Sequence, residues 1–295
     1  MAIYDCFTFF NELELLELRL RLLYDFVDYF VLVEGNKTHK NSCKPFYYDI
    51  HKEEFSKYKD KIIHIKVEDM PAYHGDGDWT IENYQRNAIM RGLVQCQPED
   101  LILISDVDEI PNKEMIQKLK LNECEIEFFV DKKKRFLKKV ATVLLFPEIL
   151  CRHAFSINLL NRTALVFEQD LFYYFMNCKS KGKWQGSILS KYKNIKTPQK
   201  LRDRRMKLPR IQNGGWHFSY LGGTEKILLK LNSIVDTPQG IYTEDHVRTC
   251  IENGIDLYGR TGDEFNFQTV ALKDLQIKKI EDFLTDYPYL YWSGK

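Results

Sequence analysis

The 295-residue chain is short of several things, and each shortage narrows what it can be. Its seven cysteines (6, 43, 96, 124, 151, 178 and 250) are odd in number, scattered and never spaced as Cys-x-x-Cys, which argues against a disulfide framework or a zinc site. No apolar run approaches the roughly 20 residues that span a bilayer. The N-terminus lacks a basic leader region and carries acidic residues early, so a cytoplasmic protein is expected. No Gly-x-Gly-x-x-Gly or P-loop pattern follows the first apolar segment, which speaks against a dinucleotide dehydrogenase and a P-loop kinase. Surplus charge is missing too: the net charge is +1, so nothing global points to nucleic acid, and any basic site must be local. Repeats and low-complexity linkers are absent. Aromatics are plentiful at 14%, with 17 Tyr and 19 Phe, which suits stacking on sugars and a bulky core equally.

Against that background one stretch stands out, Leu101-Ile102-Leu103-Ile104-Ser105-Asp106-Val107-Asp108-Glu109-Ile110-Pro111. Four apolar residues in a row read as a strand buried on both faces of a parallel sheet. Three carboxylates follow within four positions, and Pro111 stops continuation of the strand. In an open α/β sheet, ligands bind outside the carboxyl ends of the strands. Asp106 and Asp108 share a face if the chain stays extended, whereas a turn would aim them apart. Hard oxygen ligands gathered at such a place suit Mg²⁺ or Mn²⁺, and hence a bound diphosphate. The plainer reading is that these acids cap a following helix, with Asn112 and Glu114 at its start.

Taken in order, residues 2–10 read as a strand, with Asn11 as N-cap of a helix from 12 to about 24 whose leucines 13, 16, 20 and 23 share a face. Residues 29–34 and 61–67 are two more strands, and 82–95 an amphipathic helix before the motif strand. That alternation, with polar residues at each strand end, predicts a doubly wound nucleotide-binding half. It breaks between about 122 and 165, where the basic run 132–139 abuts an apolar one. Such a run can lie on an anionic membrane surface, or form a solvated helix face. Residues 166–175 resume as a strand. Lys183-Trp184-Gln185-Gly186 reads as a loop whose Trp stacks on a sugar or packs. Leu201-Arg202-Asp203-Arg204-Arg205 places three guanidiniums where they can clamp a diphosphate or remain solvated. Gly214-Gly215-Trp216-His217-Phe218-Ser219-Tyr220-Leu221-Gly222-Gly223 is an aromatic strand bracketed by glycines, suggesting close backbone approach to a ligand. Thr224-Glu225 opens the next helix, and helices near 243–253 and 275–284 look like covering structure.

Eight blocks in this order, YDCFTFFNELELLELRL, YFVLVEGNKTH, KIIHIKVEDMP, WTIENYQRNAI, ILISDVDEIP, KWQGS, LRDRR and GGWHFSYLGG, resemble glycosyltransferase family 17. The resemblance covers residues 1–120 and about 166–260. It implies a GT-A type nucleotide-diphospho-sugar transferase fold, α/β with a mostly parallel central sheet flanked by helices. It also implies an inverting mechanism, a UDP-sugar donor, a glycan acceptor and a divalent metal, usually Mn²⁺. Within one catalytic domain over 1–295, the expected parts are a nucleotide-binding half (1–120), a basic insertion (121–165), an acceptor and catalytic half (166–260) and a C-terminal helical cover (261–295).

Asp106 and Asp108 match the family's Asp-x-Asp motif with Glu109 beside them, and these three are the expected metal ligands. His217 matches the His of the Gly-Trp-His block, and Glu225 falls where relatives carry an acid. Many bacterial members continue into Ser-Phe-Ser-His where this chain reads Asn232-Ser233-Ile234-Val235-Asp236, so if that His is a metal or phosphate ligand elsewhere, Asp236 or His217 serves here or the role is absent. Inverting transfer needs a base for the acceptor hydroxyl, for which Glu225 is expected, with Asp170 and Glu168 as alternatives. Arg86, Arg202 and Arg205 are expected to neutralise the departing UDP, and Asn11, Glu34 and Asp69 to contact uracil and ribose at the sheet crevice. Trp184, Trp216 and Tyr220 are the expected sugar platform. The absence of an anchor in the sequence suggests a bacterial or viral enzyme acting on surface glycans, with a lipid-linked acceptor and membrane contact through 132–139 as further expectations. Two other classes fit the motif: a glycan-binding protein without turnover, and a metal-dependent nucleotidyltransferase.

Overall fold

The computed structural model describes residues 1–120, 126–127, 157–235 and 242–294. The basic run 132–139 and Asp236 lie outside the described residues. Among the described residues the chain forms eleven strands: β1 (Ile3–Phe9), β2 (Tyr29–Gly35), β3 (Ile62–Val67), β4 (Leu101–Asp106), β5 (Glu109–Pro111), β6 (Ile126–Glu127), β7 (Leu165–Tyr173), β8 (Cys178–Lys191), β9 (Arg210–Ile211), β10 (Gly215–Ser219) and β11 (Phe267–Thr269). They join one sheet in the order β3-β2-β1-β4-β8-β7-β10-β5, with β11 on β8, β9 on β7 and β6 on β9. The β3-β2-β1-β4 portion is wholly parallel, as the apolar runs predict. Beyond β4, β8 and β5 enter antiparallel, while β10 runs parallel to β7.

Alternation of side chains divides the core into two layers. Ile3, Phe7, Phe30, Leu32, Leu101 and Leu103 face the helix Leu13–Leu23, which contributes Leu16, Leu20 and Leu23. Tyr4, Cys6, Val31, Val33, Ile102 and Ile104 face the other way, onto Ala88, Ile89 and Leu93. Strands covered on both sides need apolar residues at every position, which is why they read as unbroken runs. Each fully buried Leu or Ile contributes about 1.5–3 kcal/mol.

Several boundaries differ from the sequence reading, each for a local reason. The first helix begins at Leu13, and Asn11 does not cap it. Glu12 folds back instead, its Oε2 accepting the Asn11 and Phe10 amides at 3.1 and 3.4 Å. The helix expected over 82–95 is Thr80–Asn87, continued by a 3-10 turn over Ala88–Gly92. Trp184 is not in a loop but within the 14-residue β8, where cross-strand pairing with β7 (Gln169 opposite Trp184) decides the conformation. Glu109–Pro111 forms β5 before the helix Lys113–Lys120 starts. The tail holds the expected helix at Ile280–Asp286 but also β11, which pairs with β8.

The glycine pair 214–215 does bring backbones close, though to protein. A Cβ on Gly215 would stand 2.2 Å from the Ile110 carbonyl oxygen, and one on Gly214 2.7 Å from the Glu168 amide nitrogen. These glycines let β10 thread between β5 and β7, which fixes His217 directly opposite Glu109. Gly222, at φ 96°, turns the chain into the helix Gly223–Ser233.

Candidate active site

The acidic turn is held from beneath by one side chain. Arg19 and Asp5 are both fully buried, and the guanidinium binds the carboxylate through Nε (2.7 Å) and Nη2 (2.5 Å). Arg19 Nη2 also donates to Ser105 Oγ, while Nη1 reaches the carbonyl oxygens of Asp106 and Glu109 at 3.1 and 3.0 Å. The Asp108 carbonyl accepts the Phe218 amide, and the Glu109 carbonyl accepts Ser187 Oγ. A turn with so many of its carbonyls engaged has little freedom, so its carboxylates point where the backbone aims them.

They point in different directions, the outcome expected of a turn rather than an extended chain. Asp106 Oδ1 accepts from Thr8 Oγ1 (2.8 Å) and Arg86 (3.0 Å), and Oδ2 from Arg202 (3.1 Å). Glu109 is 1% exposed and takes a two-pronged contact from Arg202 plus the Trp184 indole N–H. Asp108 faces the other way: its Oδ2 is 2.9 Å from Lys230 Nζ and 3.6 Å from His217 Nε2. Burial alone would push both aspartates up, but Arg86 and Arg202 hold Asp106 well below the usual carboxylate range, and Lys230 does the same for Asp108. Both are therefore ionised at neutral pH.

These groups line a cavity of about 570 Å³, a size suited to a nucleotide-sized ligand. Asp106, Asp108, Glu109, Arg86, Arg202, Arg205 and His217 are brought together there. The Arg205 side chain makes no hydrogen bond or ion pair among the described residues, and its guanidinium lies 5.2 Å from the Trp184 ring. Burial and the neighbouring Arg202 both lower its proton affinity. Trp184 also packs against the His217 ring at 4.7 Å. Arg86 Nε, Arg202 Nε and His217 Nδ1 are buried without hydrogen-bond partners among the described residues. Orphaned polar atoms gathered at one cleft mark a site rather than a packed core.

Other expected site residues stand elsewhere. Glu225 is exposed in the first turn of its helix and does not line the cavity. Asp170 is tied to Lys179 and Lys183, and Glu168 to Arg210. Glu34 is fully buried and turned toward the Tyr48 amide and His64, while Asp69 is exposed and paired with Arg91 and Tyr84. Asn11 borders only a small neighbouring recess. Trp216 is a core residue whose indole donates to the Leu275 carbonyl, whereas Tyr220 does reach the cavity. Sequence reasoning missed Glu12, Lys44, Glu82 and Lys230. For Lys230 no local signal exists, since a Lys on a helix surface ordinarily reads as solvated.

The donor set can be tested against the divalent ion that the sequence implies. Two ligand atoms each about 2 Å from one ion lie no more than about 4 Å apart. Asp108 Oδ2 and His217 Nε2, 3.6 Å apart, meet that limit, and a carboxylate with an imidazole suits Mn²⁺ or Mg²⁺. No group of three ligating side chains converges among the described residues, so phosphate and water oxygens would complete the shell. Charge points the same way. The cavity is lined by six Lys or Arg and six Asp or Glu, so it carries no net positive charge to set against a diphosphate. A divalent cation would supply the missing positive charge, and Asp108 with His217 fits one.

Comparisons with known proteins bear on the half that carries the turn. Three curated relatives match over 125 residues, about 40% of this chain: the β-1,4-mannosyl-glycoprotein 4-β-N-acetylglucosaminyltransferases of human (27% identical), rat (27%) and mouse (26%). The matched stretch spans only 24% of the human protein's length. All three are mammalian, whereas the sequence alone suggested a bacterial or viral setting. Residues 1–133 match the family model described as glycosyltransferase family 17, and this segment holds β1 to β6 and the whole Asp-Val-Asp-Glu turn.

Proposed function

We propose that the chain is a glycosyltransferase that moves N-acetylglucosamine, or a related hexose, from a UDP-sugar to a glycan acceptor. One observation carries this: the acidic turn from the family-matched segment and the cations Arg202, Arg205 and Lys230 from the second half complete a single cavity. Arg205, with no carboxylate paired to it among the described residues, would bind a donor phosphate by charge-assisted hydrogen bonds. Arg86 and Arg202 are committed to Asp106 and Glu109, so their part is to fix the turn. Asp108 and His217 would hold Mn²⁺ or Mg²⁺, which when bound supplies Lewis acidity at the diphosphate.

In a single displacement with inversion, the acceptor oxygen bonds to the anomeric carbon as the bond to the UDP oxygen breaks, and the acceptor's proton passes to a base. Glu225 and Asp170, expected in that role, stand outside the cavity, while Glu12 and Glu82 line it. Trp184 and Tyr220 offer ring surfaces beside the cations for the sugar. Among the described residues no helix is long and apolar enough to cross a membrane. A GT-A type fold, a cytoplasmic setting, polysaccharide synthesis on a lipid-linked acceptor and membrane contact through 132–139 belong to the same proposal.

A thermal-shift screen of nucleotide sugars with Mn²⁺, followed by a hydrolysis assay on the best donor, tests it. A UDP-N-acetylhexosamine should stabilise most and be slowly hydrolysed. Stabilisation without turnover on any acceptor would favour a glycan-binding protein, and preference for a nucleoside triphosphate a nucleotidyltransferase.

A further inference from the structure

The three carboxylates of the turn are not held alike. Asp106 and Glu109 are gripped by guanidiniums that are themselves 4% exposed and bonded to several acceptors. Asp108 is held by a single ammonium on a flexible four-carbon stem, 20% exposed at the cavity. That ammonium touches the same oxygen, Oδ2, that faces His217. It also has a second carboxylate within reach, Glu12 Oε1 at 3.3 Å, and lies 5.6 Å from the Tyr220 ring.

We propose that Lys230 is a tethered cation that occupies Asp108 in the donor-free protein and competes there with the divalent metal ion. The inference rests on the reading of Asp108 and His217 as metal ligands. An ammonium and a metal ion bound to one carboxylate oxygen repel each other, so one must leave. Glu12 gives Lys230 somewhere to go, and the phosphates of an arriving donor give it a better partner. Metal uptake is thereby coupled to donor uptake: alone, the ion must displace Lys230, whereas with the diphosphate present both cations have anions to bind. A lysine suits this task where an arginine, fixed by several planar contacts, would not.

The test is direct Mn²⁺ binding to the full chain without nucleotide, followed by electron paramagnetic resonance of the free ion. If Lys230 covers Asp108 nine-tenths of the time, Lys230→Gln should bind Mn²⁺ about tenfold more tightly than the unaltered protein. Lys230→Arg, which keeps a cation on Asp108, should bind Mn²⁺ no more tightly than the unaltered protein. Adding Asp108→Asn to Lys230→Gln should abolish the gain. Equal affinity in Lys230→Gln, with binding still lost in Asp108→Asn, overturns the competition and leaves the metal reading intact. Tightening in both the Gln and Arg variants also overturns it, since altered packing rather than lost charge would be the cause. No Mn²⁺ binding in any variant, with or without UDP, overturns both.

Discussion

Two ion pairs flank the same turn, and the contrast between them separates what builds this site from what works in it. Below it, Arg19 and Asp5 are sealed from solvent, and the guanidinium spends its remaining donors on Ser105 and the turn's carbonyls. Above it, Lys230 and Asp108 open onto the cavity, with Glu12 and His217 as alternative neighbours. Among the described residues the enclosed pair has no other charged partner to exchange with, so it sets geometry. The open pair can exchange, so it can respond to a ligand. Similar charges at similar distances serve different ends because their surroundings differ.

The largest effect should come from the enclosed pair. Arg19→Leu leaves Asp5 charged and unpaired in the core, which costs about 3–5 kcal/mol, a large part of a domain's stability. Urea unfolding measures it, and a loss below about 1 kcal/mol would erase the distinction between the two pairs. Next comes the unpaired cation of the open side. Arg205→Ala should weaken UDP binding by about tenfold, or roughly 1.4 kcal/mol, with little change in unfolding midpoint. An unchanged UDP affinity by calorimetry would move the phosphates away from Trp184. The smallest effect is expected outside both regions. Glu225→Gln should leave kcat within about twofold, against the 10²–10⁴-fold loss of a general base. A loss in that range would bring the acceptor over the start of the Gly223–Ser233 helix.

The strands β1, β2 and β4 were legible because a strand covered on both faces is almost wholly apolar, and the acidic turn because it interrupts such a run so abruptly. Asp5, a lone charge within the apolar β1, was a readable sign that a buried partner had to exist, and Arg19 among the leucines of the next helix is that partner. The Trp184 strand was not legible, since Lys, Gly and Gln are loop-like in composition and only pairing with β7 makes them extended. Glu34 and Asp69 show the limit of arguing from strand ends. Both sit where a ligand crevice is expected, yet Tyr48, His64 and Arg91 claim them first. Lys230 lies 122 positions from Asp108, and nothing short of the tertiary fold joins them.

The most direct measurement is UDP binding by titration calorimetry, with and without Mn²⁺, in the unaltered protein and in Asp108→Asn. If Asp108 anchors the cation that binds the donor's phosphates, Mn²⁺ should tighten UDP binding by about tenfold or more in the unaltered protein, and the gain should vanish in the variant. An equal Mn²⁺ gain in Asp108→Asn, or none in the unaltered protein, would contradict it.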